Sequence, residues 1–146
     1  MWKLAWTKAV LLAVLASGFM AGTVRAADNG IKVKITAGTQ VLEAEFLDNT
    51  TTRSLISLFP LTVTMNNLYE REMCYRFPDA LPASEPRRLD FEVGDVSYWV
   101  PWHSLVIFYK QDGEYISNLQ RVGHISSDVA FFSGAGDMKV TFELAE

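Results

Sequence analysis

The side chains best suited to chemistry gather between Gly94 and Tyr109, in the run GDVSYWVPWHSLVIFY. Tyr98, Trp99, Trp102, Phe108 and Tyr109 have the types and spacing to form the floor and lip of an apolar groove. Ligand pockets are mostly apolar walls carrying a few polar groups. His103, in the rim Pro101-Trp102-His103-Ser104, is placed to donate a hydrogen bond to such a ligand. The same rings serve equally well as core and cover of a β-barrel. Trp102 is the strongest site candidate, because a Trp that follows Pro in a loop is hard to bury completely. The candidate binding set is Tyr98, Trp102, His103 and Phe108, with Arg53 and Arg121 as the cations able to polarise a bound amide.

The other reactive side chains point to less. His103 and His124 are the two histidines, the residue type whose charge changes near neutral pH. His124, beside Gly123, reads as a solvated strand residue. The single cysteine, Cys74, has no partner within the chain and reads as a small buried hydrophobe. No run of Asp, Glu, His or Cys has a metal-ligand spacing, so no metal is expected. No G-x-S-x-G elbow is present. Gly134-x-Gly136 lacks the strand and helix that a phosphate loop requires, so no cofactor is expected either.

These residues need a scaffold, and the periodicity supplies one. Ile31, Val33 and Ile35 alternate with Lys32, Lys34 and Thr36. Gly38-Thr39 turns the chain into a second strand over Val41 to Leu47, which makes a hairpin. Asp48 to Thr52 offers N-cap side chains for a short helix whose apolar stripe is Leu55, Ile56, Leu58 and Phe59, and which Pro60 ends. Arg53 falls in its first turn, where a cation is disfavoured and is expected to find a partner elsewhere or to stay solvated. Strands follow over Leu61 to Met65 and Met73 to Phe77. Pro78 to Arg88 reads as a long irregular loop, of the kind that often covers a site.

Val96, Tyr98 and Val100 alternate, and Leu105 to Tyr109 is apolar without a break, as in a strand buried on both faces. Glu114 to Asn118 reads as a polar connection. Leu119, Arg121, Gly123 and Ile125, with Val122 opposite, form a further strand. Ser126 to Asp128 caps a single helical turn over Val129 to Phe132. Met138, Val140, Phe142 and Leu144 alternate in a last strand. About eight strands with two short helices and no internal repeat indicate a mainly β domain, an antiparallel barrel or sandwich. A closed barrel is favoured because the apolar last strand would otherwise leave an aggregation-prone edge.

The first residues read as an address. Lys3 and Lys8 precede an apolar run from Ala9 to Met20, and small residues lead to Val24-Arg25-Ala26, the pattern of a signal peptide over residues 1–26. The run is shorter than the roughly 20 residues a bilayer span needs. The expectation is an exported bacterial protein, periplasmic or secreted, with no membrane attachment once the signal is cut. Residues 27–146 then form one domain. Cutting removes Lys3, Lys8 and Arg25 and takes the formal charge from −4 to −7. Nucleic acid is excluded as a partner, since phosphate recognition relies on clustered Lys and Arg and the only adjacent basic pair is Arg87-Arg88.

Four stretches together carry a resemblance. They are the Ile31-x-Val33-x-Ile35 hairpin, the run from Leu47 to Met65 with Asp48-Asn49, Arg53 and Pro60-Leu61, the G-D-x-x-Y-x-x-P-W-x-x-L-x-I-F-Y stretch from Gly94, and L-x-x-x-G-x-I from Leu119 to Ile125. The chain resembles the small bacterial cyclophilin-like fold proteins from about Ile31 to Leu144. The resemblance implies an eight-stranded cyclophilin-type barrel with helices at its ends, and a Gly where this chain has His103. Prolyl isomerase activity in true cyclophilins depends on an Arg beside a Phe-x-x-Gln set, which has no counterpart here. The expected role is therefore a binding module that takes a peptide or small molecule in the aromatic groove. The alternative is a divergent peptidyl-prolyl isomerase in which Arg53 or Arg121 stabilises the twisted amide. Neutralising either Arg would abolish turnover only in the isomerase, whereas Trp102→Ala would weaken binding in both.

Overall fold

The computed structural model describes residues 30–84 and 86–146. The expected signal segment lies outside them. Among the described residues, nine strands build a single antiparallel sheet: β1 (Ile31–Ala37), β2 (Gln40–Phe46), β3 (Leu61–Leu68), β4 (Glu72–Arg76), β5 (Arg87–Asp90), β6 (Asp95–Trp99), β7 (Ser104–Phe108), β8 (Tyr115–Ile125) and β9 (Met138–Leu144). Eight of them run in the order β2-β1-β9-β3-β4-β7-β6-β8, and β8 pairs back onto β2 to close the barrel. The short β5 is added outside the ring, on β8. Closure removes the edges that an open sheet would leave on β2 and β8.

The helix α1 (Thr50–Ile56) starts at Asn49, whose side chain accepts the Thr52 N–H at 2.9 Å. That bond satisfies one of the free donors of the first turn. Leu55 of α1 is fully buried in the barrel core. The second expected helix is a 3-10 turn, Ala130–Phe132. A further 3-10 turn, Val100–Trp102, joins β6 to β7.

Three readings of the sequence are corrected. Residues 114–118 are not a connection, since β8 begins at Tyr115. The loop from Pro78 gives way to strand at Arg87, because β5 pairs with the extra length of β8. Arg53 stands in the last turn of α1 rather than the first, because the helix starts at Thr50 and is only seven residues long.

The barrel interior is filled by side chains from every wall, including Ile35, Phe46, Met65, Tyr98, Ile107 and Phe142. A second, smaller core lies outside the barrel, where Phe91, Val106, Phe108 and Leu119 pack together. Phe91 stacks on Phe108 with ring centroids 3.9 Å apart. This outer layer explains the unbroken apolar run in β7: Leu105 and Ile107 face the barrel, Val106 and Phe108 face the outer cluster, and the whole strand is buried. The loop after Pro78 packs inward too. Leu81 N–H donates to the Tyr98 hydroxyl at 2.8 Å, and the Thr51 hydroxyl donates to the Pro82 carbonyl at 2.6 Å.

Candidate functional site

The expected aromatic groove is not assembled. Tyr98 is 1% exposed and Phe108 fully buried, the first inside the barrel under Leu81 and the second under Phe91. Both are core residues, because Leu81 and Phe91 cover the surfaces that the sequence alone leaves open. Trp102 is 52% exposed, and the Arg76 guanidinium lies 4.4 Å from its ring centroid. His103 follows with φ 49° and ψ 39°, in the left-handed region, its carbonyl accepting the Phe77 N–H at 2.8 Å. That backbone explains the Gly implied by the resemblance at this position.

The two candidate arginines are both committed to carboxylates. Arg53 Nη1 lies 2.6 Å from Asp48 Oδ1, both side chains being exposed. Arg121 Nη2 lies 2.8 Å from Asp95 Oδ2. Asp95 opens β6, some 13 Å along the strand from Trp99 and the aromatic rim. Arg121 thus belongs to a different part of the surface from Trp102 and His103.

Asp95 is the centre of that other part. Its side chain is 3% exposed, yet it is ringed by donors. Oδ2 accepts from Arg121 Nη2 at 2.8 Å and from the Glu92 backbone N–H at 2.9 Å. Oδ1 lies 3.0 Å from His124 Nδ1. A carboxylate is buried at low cost only when such donors replace its water.

The local chain geometry that makes this cluster is a β-bulge. In the β6–β8 ladder Val96 pairs with Gly123 and Ser97 with Arg121, so Val122 has no partner. Residues three apart on a regular strand face opposite sides. The extra residue brings Arg121 and His124 to the same side, while Val122 and Ile125 both enter the barrel core. The alternation read from the sequence, with Gly123 and Ile125 on the face of Arg121, is corrected by this bulge.

Two glycines give the cluster room. Gly94 has φ +96°, and a Cβ there would stand 2.8 Å from the Ile125 carbonyl oxygen and 3.0 Å from His124 Cε1. At Gly123 a Cβ would collide with the Phe46 ring and stand 2.5 Å from the Glu45 carbonyl oxygen. Gly123 sits where β8 meets β2 and the barrel closes.

Around Asp95, Arg121 and His124 opens a cleft of about 980 Å³ across the outer face of β1, β2 and β8. Val41, Leu47 and Leu144 give it exposed apolar walls. Three basic side chains line it against six acidic ones, a formal charge of −3 with histidine neutral. Lys32 is bound to Glu45 at 2.6 Å and Lys34 to Glu143 at 3.0 Å. The sequence analysis read His124 as a solvated strand residue, and its grouping with Asp95 and Glu92 escaped because the three come from a turn and two strands. The available signal was an Asp at the head of a strand whose other residues are apolar, serine or aromatic.

Elsewhere, burial pushes the Glu72 carboxyl up from its ordinary range, against the opposing pull of its ion pair with Arg71. Burial also pushes the Cys74 thiol up, which suppresses its thiolate. Both groups stand on β4.

Comparison with known proteins agrees with the barrel. The solution structure of a hypothetical protein from Archaeoglobus fulgidus superposes with a TM-score of 0.65 at 21% identity, covering 80% of this chain and 96% of that one. At that identity the likeness speaks for the fold alone. No curated protein matches the chain. A family model described as the cyclophilin-like family matches residues 35–143, a range that reaches into every strand of the barrel and includes the Asp95 cluster. On that match, the chain belongs to the cyclophilin-like family.

Proposed function

We propose that this protein is an exported ligand-binding domain whose site is the acidic cleft around Asp95, and that its ligand is a small molecule with a cationic or hydrogen-donating group on an apolar body. The observation that carries the reading is the buried Asp95 carboxylate, which fixes Arg121 and His124 side by side at a cleft with apolar walls. The exposed Val41, Leu47 and Leu144 beside these polar groups give the body of a ligand an apolar surface to rest on. The excess of acidic side chains favours a positive ligand over an anion. This moves the binding function from the aromatic rim to the opposite end of β6. The isomerase alternative draws no support from Arg53 or Arg121, since each guanidinium is held by a carboxylate.

The test is a pair of amide NMR titrations of the isotope-labelled protein with phenethylamine and with phenylacetate, which share an apolar body and differ in charge. The amine is expected to shift the resonances of Gly94, Gly123 and His124, and phenylacetate to leave them in place. Shifts confined to Trp102 and His103, or a stronger response to phenylacetate, would defeat the reading.

A further inference from the structure

We propose that Glu92, Asp95 and His124 form a binding site for a single first-row divalent cation, of which zinc(II) is the type. The inference rests on the cleft being a binding site and goes beyond that reading by placing a metal ion on its acidic cluster.

Each of the three residues offers one donor atom, and these atoms all lie within 4.8 Å of one another. A zinc ion holds nitrogen and oxygen ligands at about 2.0–2.2 Å, so its ligands stand within about 4 Å of each other. The 3.0 Å between Asp95 Oδ1 and His124 Nδ1 already meets this requirement. Glu92 is exposed at the turn before β6, and its side chain has the freedom to close the remaining distance.

The groups around the cluster orient it as outer partners of a metal site do. Arg121 and the Glu92 N–H both take Oδ2 of Asp95, which leaves Oδ1 directed at His124. Gly94 lets the imidazole ring lie against bare backbone, where any Cβ would crowd it. Charge points the same way. Two carboxylates stand together, Arg121 neutralises one, and the nearby Glu45, the register partner of His124, is engaged by Lys32. One imidazole nitrogen and two carboxylate oxygens suit zinc better than a hard ion such as magnesium, which prefers oxygen alone.

Calorimetric titration of the metal-stripped protein with zinc chloride tests the site, with cobalt(II) absorption as a second readout of the nitrogen donor. One ion per chain is expected, with Glu92→Gln and His124→Gln each weakening binding about tenfold or more. His103→Asn, which removes the other imidazole, is expected to leave the affinity unchanged. Circular dichroism of each variant checks that it is folded, and the exposed Glu92 position keeps the test valid should His124→Gln unfold. No saturable zinc binding, or equal affinity in folded wild type and Glu92→Gln, would overturn the cation site. If the phenethylamine shifts persist in that case, the cation alone has failed and the cleft stands.

Discussion

Arg121 and His124 lie three residues apart on β8, yet both reach the two oxygens of the same buried carboxylate, Asp95. Only the bulge at Val122 permits this. The cleft therefore depends on one irregular backbone position as much as on the side chains that line it.

The Asp95 network should carry a measurable share of the stability. Asp95→Ala leaves the Arg121 guanidinium and the Glu92 N–H without their acceptor, and the expected loss is about 3 kcal/mol. Arg121→Met should cost less, since its side chain is partly solvated and the remaining donors still hold Asp95. Urea midpoints of the two variants give the comparison, and equal losses would show that the carboxylate is not the centre of the network.

Gly123 should tolerate no side chain. In Gly123→Ala the new methyl meets Phe46 and the Glu45 carbonyl well inside contact distance, where β8 closes onto β2. Overpacking of this kind costs about 1–3 kcal/mol, and backbone contact places the change at the upper end. A thermal midpoint unchanged from wild type would show that the seam can open to admit it.

His103→Gly should have the opposite sign. A non-glycine residue in the left-handed region costs about 1–2 kcal/mol, and part of that is returned by the greater freedom of an unfolded glycine. The expected net gain is about 0.5–1 kcal/mol in chemical denaturation. A loss would mean that the imidazole makes contacts which outweigh the backbone strain at φ 49°.

Glu72 gives a pH dependence whose sign can be worked out. Burial raises its folded pKa above the ordinary 4.5, so the folded state holds this proton more tightly than the unfolded chain. The resulting stabilisation is complete below about 4.5 and is lost as pH rises through the folded value. Wild type should therefore lose stability relative to Glu72→Gln as pH is raised above that point. Paired denaturation curves across the acidic range check this, and a difference that does not change with pH would show that Arg71 fully offsets the burial.

Cys74 should be inert in the native state. With burial holding the thiol protonated, alkylation by iodoacetamide at pH 8 is expected to be slow and to accelerate sharply in denaturant. Rapid native labelling would indicate that β4 opens locally.

Much of the barrel is legible in the residues. The alternation in β1, β2, β3 and β9 is the direct imprint of one wet and one buried face, and the turn glycines Gly38 and Gly134 mark where the chain reverses. The uninterrupted run in β7 correctly announces burial on both sides. What the residues do not carry is which surface covers which. Tyr98 and Phe108 read as groove walls because the segments that bury them, Leu81 and Phe91, are 17 residues away in each case. The cluster at Asp95 is hidden for the same reason. Its members are separated by 26 and 29 residues, and a bulge breaks the period that would have assigned their faces. Local patterns record solvent contact along a strand, and so the sequence by itself determined most of the strands and the family, but not β5 or the first residues of β8. Tertiary pairing decides which distant side chains share a carboxylate, and so only the fold placed the site.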